Sequence, residues 1–287
     1  MSDPAIRFVV ALEAEARPIA ERFRLEPVGE SHAFRIFRGE AAWLVVAGFG
    51  KAAAAAATAY LHLAAGGELG RPWLHVGIGG HSRRTLGELL LAHKVDDRAS
   101  GLAWYPPLVI DAPCPTAPFL TVERREEEYE VPWVYETEAA GFYPTACRFS
   151  TAELVHAFAV ISDNPEANVS GPPSAPFVEE LVARHLDAIE SFGRGLGELA
   201  LEAAALAADP PGYREIVARS LFGLTEQRRL RRLLQRLAVL APGEPLPPAA
   251  GGSAAPARDV LRHLEVRLSR LPLELAPPTE AAIDVVH

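Results

Sequence analysis

Two glutamates one residue apart, Glu136 and Glu138, and an aspartate closing an apolar run, Asp163, are the side chains here best suited to acid–base chemistry. Glu136 and Glu138 sit in Val134-Tyr135-Glu136-Thr137-Glu138-Ala139-Ala140-Gly141-Phe142-Tyr143, whose small and aromatic residues can continue as a helix. Asp163 follows Val155-His156-Ala157-Phe158-Ala159-Val160-Ile161, a strand-like run that stops in Ser162-Asp163-Asn164-Pro165. Polar side chains at such a stop lie at the carboxyl edge of a sheet, where open α/β sheets bind ligands. Carboxylates converging there can stabilise positive charge or move protons. Each also has an ordinary reading. Glu138 fits a helix N-terminal acid, and Asp163 fits a turn residue.

The elements that must position these residues alternate in type. Ile6 to Leu12 reads as a buried strand that hands over to Glu13-Ala14-Glu15-Ala16, a helix start with acids in its first turn. Phe34 to Phe37 and Ala42 to Ala47 read as strands, followed by Gly48-Phe49-Gly50-Lys51 and an alanine-rich helix to about Ala65. Trp73 to Val76 is a further strand, ending in a glycine turn, Gly77-Ile78-Gly79-Gly80. Gly87 to Ala92, Leu108 to Ile110 and Phe119 to Val122 read as strands, and Phe177 to about Ala208 as one long helix with a break near Gly193-Arg194-Gly195. Glu126 to Glu130 reads as a solvated acidic run. Neither glycine loop matches a dinucleotide or Walker A pattern. Their glycines instead let backbone approach a ligand closely.

Composition narrows the function classes. A chain of 287 residues with 49% hydrophobic residues has material for a large core. A formal net charge of −9 argues against nucleic acid as the main partner. The two cysteines, Cys114 and Cys147, have no companion Cys/His spacing, so neither a disulfide framework nor a metal site is expected. Buried free thiols in a reducing cytoplasm are the simple reading. There is no signal-peptide pattern at the N-terminus and no membrane-span pattern.

Taken in order, the motifs resemble those of the nucleoside phosphorylase superfamily, most of all its nucleosidase branch, the methylthioadenosine/S-adenosylhomocysteine nucleosidases. Ala11-Leu12-Glu13-Ala14-Glu15 is similar to Ala-Met-Glu-x-Glu, and Ala47-Gly48-Phe49-Gly50-Lys51 to Ser-Gly-x-Gly-Lys. Gly77-Ile78-Gly79-Gly80 resembles Gly-Ser-Ala-Gly-Gly, and Leu86-Gly87-Glu88-Leu89 resembles Val-Gly-Asp-Ile. Glu136-Thr137-Glu138-Ala139 and Ile161-Ser162-Asp163 are similar to Glu-Met-Glu-Ala and Ile-Ser-Asp. The resemblance covers about residues 5 to 208. It implies a three-layer α/β fold, a mixed sheet flanked by helices, and an N-glycosidase acting on a purine nucleoside. On this resemblance Glu15 positions or deprotonates the attacking water. Glu138 grips the ribose hydroxyls, and Asp163 protonates or hydrogen-bonds the purine at N7. Glu136, Thr137, Gly48, Gly77 and Ile78 complete the implied substrate contacts. No cofactor or metal is implied, and a homodimer or higher homo-oligomer is. Thr137 stands where the family has Met, which makes that wall smaller and more polar. Trp104, Tyr105 and Tyr129 are the candidates for a base-stacking aromatic. A phosphorylase would need an anion site. Arg17, Arg35 and Arg38 lie near the relevant loops without matching the phosphorylase pattern, so water is favoured over phosphate. A weakened nucleoside-binding protein is a third reading.

From Asp209-Pro210-Pro211-Gly212 onward the pattern turns purely helical, so residues 1–208 form the expected main domain and 209–287 a helical C-terminal appendage. Leu230, Leu233, Leu234, Leu237 and Leu240 form a stripe that must bury against the main domain, a second subunit or the last helix, Val260 to Leu271. Arg228, Arg229, Arg231, Arg232 and Arg236 read as a solvated face first and a site for an acidic partner or nucleic acid second. Pro242 to Ala257 reads as a linker. His75 and His81 beside the glycine turn read as structural histidines rather than ligands, and His93, His156 and His185 show no metal spacing.

Overall fold

The computed structural model describes residues 6–29, 33–126, 128–167, 173–241 and 256–271. The chain divides into two compact units, Met1–Leu206 and Ala207–His287. The linker expected at 242–257 and the tail after Pro272 fall almost wholly outside the described residues.

The first unit is built on one ten-stranded mixed sheet. Its strands are β1 (Ile6–Val10), β2 (Glu26–Pro27), β3 (Arg35–Arg38), β4 (Ala42–Val46), β5 (Trp73–Gly80), β6 (Leu89–Asp97), β7 (Ala103–Trp104), β8 (Thr116–Thr121), β9 (Val134–Glu136) and β10 (Val155–Asp163). The order is β10-β6-β8-β9-β5-β1-β4-β3-β2, with β7 on β6, and β10 also pairs β5. The pairings among β5, β9, β8, β6 and β10 therefore close on themselves. β5 is the hinge of this arrangement, bonded in parallel to β1 and β10 and antiparallel to β9. Every residue of β10 is buried, which is why it reads as a continuous apolar run rather than an alternating one.

Helices cover both faces. α1 (Glu13–Arg22), α4 (Ala175–Ala183) and α5 (Leu186–Ala207) lay Ile19, Leu181, Val182, Ile189 and Phe192 on a core with Phe8, Leu74 and Phe158. α2 (Lys51–Ala64) and α3 (Ala139–Ala146) bury Ala54, Ala57, Leu61 and Phe142 on the opposite face with Val9 and Trp73. The fold is the expected three layers. Alanine-rich α2 lets α3 approach at backbone distance: a Cβ on Gly141 would lie 1.8 Å from the Lys51 carbonyl oxygen. Gly141→Ala must push the two helices apart, and the expected result is a loss of at least about 1–3 kcal/mol, the usual cost of overpacking. Urea unfolding monitored by circular dichroism measures it.

Four sequence expectations change. The glycine turn is not a turn, because β5 continues through Gly80. Leu108 to Ile110 forms no strand; prolines 106, 107 and 113 withhold ladder donors, and Ile110 packs on the main core instead. The long helix breaks at Arg184-His185, where the His185 ring contacts the Gly87 carbonyl at 2.6 Å. It does not break at Gly193, where a Cβ would lie 2.5 Å from Ile6 Cδ1. Cys114 and Cys147 are free, as expected, but only half-buried.

The second unit contains α6 (Tyr213–Arg219), α7 (Leu224–Leu240) and α8 (Ala257–Ser269). The leucine stripe settles on the last helix: Leu230, Leu233, Leu234 and Leu237 bury with Leu261, Leu264 and Leu268. Burial of each contributes roughly 1.5–3 kcal/mol, so these helices carry a core of their own. Two of the five arginines of α7 are engaged, Arg229 with Glu265 and Arg231 with Asp209. Among the described residues, no helix is long and apolar enough to cross a membrane.

Candidate active site

A cavity of about 710 Å³ opens at the carboxyl ends of β1, β5, β8 and β10. Glu15, Ile78, Glu136, Thr137, Glu138 and Asp163 all line it. Gly48 and Gly77 do not; their neighbours Phe49, Gly50, Gly79 and Gly80 do.

Glu15 is held by backbone. Its Oε2 accepts from the Ala11 and Leu12 amides at 2.9 Å, and its Oε1 from Ile78 at 3.1 Å. The β1–α1 turn and the end of β5 are thereby tied to one carboxylate. Burial pushes its pKa up to about 8 against those three donors, and the charge of Glu138 adds to the rise.

Glu136 and Glu138 do different jobs. Glu136 Oε2 accepts from the Glu138 and Ala139 amides at 2.7 and 2.6 Å, and its Oε1 takes the Thr121 hydroxyl. The helix N-terminal acid is thus Glu136, two residues before the expected Glu138. Burial raises its pKa, and Glu138 reinforces the shift. Glu138 Oε1 accepts from the Gly50 amide at 2.9 Å and from the Thr137 hydroxyl. Thr137, in the position where a methionine was expected from the resemblance, therefore orients the acid next to it.

Asp163 owes its aim to an irregularity. Between Ile161 and Asp163 the register of β10 on β5 slips by one residue, and such a bulge re-aims side chains beside a site. Oδ1 accepts from Ser162 Oγ at 2.7 Å, Oδ2 accepts from the Tyr129 hydroxyl, and Arg125 Nη2 lies 3.6 Å away. A Cβ on Gly80 would lie 2.3 Å from the Tyr129 oxygen and 2.8 Å from Asp163 Oδ2, so this contact requires glycine.

Tyr129, named above for base stacking, instead meets Asp163 through its hydroxyl and packs edge-on against Tyr135 at 5.1 Å. Arg124 and Arg125 line the cavity and were not foreseen. The carboxyl-edge rule applied to β8 would have found them, because they follow its last residue within four positions. The acidic run around them lies in irregular backbone, with Glu127 outside the described residues.

No protein-family model and no curated protein matches this chain. Solved structures do match. A methylthioadenosine/S-adenosylhomocysteine nucleosidase mutant of Helicobacter pylori, solved with 5'-methylthioadenosine in its active site, superposes with a TM-score of 0.55 at 15% identity, covering 66% of this chain and 97% of that one. Futalosine hydrolase from the same organism gives 0.54 at 16% identity, covering 66% and 98%. The Neisseria meningitidis nucleosidase, in complex with methylthio-immucillin-A, gives 0.51 at 16%, covering 69% and 99%. At this identity the likeness establishes a shared fold: the chain has the architecture of these hydrolases.

Proposed function

We propose that the protein is a nucleosidase that hydrolyses the N-glycosidic bond of a purine nucleoside or a close relative. One observation carries the reading. Glu15, Glu136 and Glu138 are 1%, 5% and 5% exposed on one cavity, and no Lys or Arg among the described residues pairs with any of them. Buried carboxyl groups hold their protons, as the raised pKa values of Glu15 and Glu136 reflect, unless something positive meets them. Breaking a glycosidic bond supplies that charge, since the sugar becomes cationic in the transition state.

In this reading Glu138 accepts the ribose hydroxyls, Glu15 orients and deprotonates water, and Asp163 with Tyr129 serves the departing base. The same fold carries both enzymes named above, which supports the assignment. Phosphate as nucleophile is not favoured. Arg17 pairs with Glu179, Arg35 pairs with Glu13, and Arg38 stacks on Trp43, so none of the three serves the cavity. Arg124 and Arg125 do line it, but seven acids line it as well, Glu13, Glu15, Glu123, Glu126, Glu136, Glu138 and Asp163, and that balance disfavours an anion.

The test is a panel of purine nucleosides, varied at the 5' position, with release of free base followed by chromatography. Release of base from at least one member, lost in Glu138→Gln, is expected; no release from any of them would remove the assignment. The proposal extends to a cytoplasmic homodimer, checked by light scattering at micromolar concentration. Removal of residues 209–287 should leave base release within about twofold, because all the cavity residues precede position 179 and independent sites act additively. Complete loss of turnover in a folded truncated protein would place part of the site in the appendage.

A further inference from the structure

Tyr129 meets Asp163 from a segment that has no regular structure of its own. Residues 122–133 join β8 to β9 and, where described, belong to no helix or strand. A tyrosine on such a segment needs tethers to stay on its partner. The Val131 amide donates to the Tyr135 hydroxyl at 3.1 Å, and Lys94 Nζ lies 4.5 Å from the centre of the Trp133 ring. A further tether comes from His81, which follows β5 directly and is 3% exposed.

The His81 ring is held on both sides. The Arg83 and Arg84 amides donate to its Nδ1 at 2.9 and 3.2 Å. Two donors on Nδ1 leave that nitrogen bare, so the hydrogen of the neutral ring sits on Nε2. The Pro132 carbonyl, three residues after Tyr129, accepts it. Burial lowers the pKa of the ring and Arg84 reinforces this, against the Pro132 carbonyl and Glu88, so the ring stays neutral at neutral pH. A charged ring would turn an N–H toward two amide N–H groups. Backbone completes the link to the site. The His81 amide donates to the Asp163 carbonyl at 3.1 Å, and Asn164 Nδ2 donates to the Arg84 carbonyl at 2.9 Å. One imidazole thus joins the turn that grips residues 163 and 164 to the segment that carries Tyr129.

We propose that His81 is a positioning residue: by tying the Pro132 carbonyl to the turn bonded to the Asp163 backbone, its ring holds the Tyr129 hydroxyl on the Asp163 carboxylate. The inference rests on the nucleosidase reading and deepens it, naming what sets the geometry where the base departs. His81 itself touches no substrate. Its effect passes through Tyr129, and that dependence can be measured.

The experiment is a double-mutant cycle. kcat and KM are measured on the best nucleoside of the panel for the native chain, His81→Asn, Tyr129→Phe and the double variant. Asn places its Oδ1 where Nδ1 was, so the Arg83 and Arg84 amides keep an acceptor while nothing reaches Pro132. Each single variant is expected to lose roughly threefold to thirtyfold in kcat, the range of one hydrogen bond, with KM within about twofold of native. In the Tyr129→Phe background His81→Asn should cost less than about twofold more, because the group it acts through is gone. A histidine that merely stabilises the domain would cost the same factor in both backgrounds, which would overturn the proposal. So would native kcat in His81→Asn, or a His81→Asn chain that lacks the native circular dichroism spectrum. His81→Gln carries an amide that can donate to Pro132 from near the Nε2 position, and it should recover part of the kcat lost in His81→Asn; no recovery would remove the tether. Absence of turnover by the native chain on every nucleoside would fail the nucleosidase reading itself, a result distinct from all of these. Hydrogen exchange then decides the tether alone. Peptides spanning 128–135 should exchange roughly fivefold faster in His81→Asn, while those spanning 81–84 keep native rates. Equal exchange over 128–135 would overturn the proposal.

Discussion

Asp163→Asn turns over its nucleoside roughly a hundred- to ten-thousand-fold more slowly than the native chain and keeps the native fold. Asn preserves the shape and an oxygen for Ser162 Oγ, so the bulge that aims residue 163 survives. On the proposed mechanism it removes the group that serves the departing base with a proton. The Tyr129 hydroxyl would then face either an amide oxygen, which still accepts, or an amide nitrogen, which does not. Stopped assays on the best nucleoside measure the loss, and circular dichroism checks the fold. Near-native turnover with a native spectrum would exclude Asp163 from the chemistry and leave Tyr129 as a packing residue.

Glu15→Gln produces a loss of similar size, and it also removes a limb of the pH profile. With its pKa pushed up to about 8 by burial, Glu15 is ionised only above that pH. A base must be ionised to act, so kcat/KM of the native chain rises with pH through about 8. The variant should show the residual rate without that limb. Stability moves the opposite way. The unfolded chain ionises Glu15 near its ordinary value of 4.5, whereas the folded chain holds the proton to about 8, so stability declines as pH rises across that window. Glu15→Gln flattens the decline, although one of the amides of Ala11, Leu12 and Ile78 then faces an amide nitrogen. A native profile that falls on raising the pH through this range would assign Glu15 the role of an acid.

The sequence made the layers and the carboxylates legible for a physical reason. Buried parallel strands such as β1 and β10 are written as unbroken apolar runs, and an acid at the end of such a run stands out. The departures occur where packing overrides local pattern. Gly77, Gly79 and Gly80 look like a turn because glycine is poor in strands, yet at Gly79 and Gly80 a Cβ would lie 2.7 Å or less from Val134 and Tyr129. Gly193 looks like a helix break and is a socket for Ile6. β9 escaped notice because three residues give no periodicity. Its last residue, Glu136, took over the capping role expected of Glu138 because its carboxylate reaches the first amides of α3. His75 read as a structural histidine, and its hydrogen bond to Val9 agrees with that. Only the fold shows what lies on the other side of the ring, since Glu138 is 63 residues away in sequence.

The most direct measurement is product analysis of a cleaved nucleoside in phosphate-free buffer and again with millimolar phosphate. The expected result is free base and free ribose in equal amounts, at the same rate in both buffers. Ribose 1-phosphate as the sugar product, formed only when phosphate is present, would contradict hydrolysis and identify a phosphorylase.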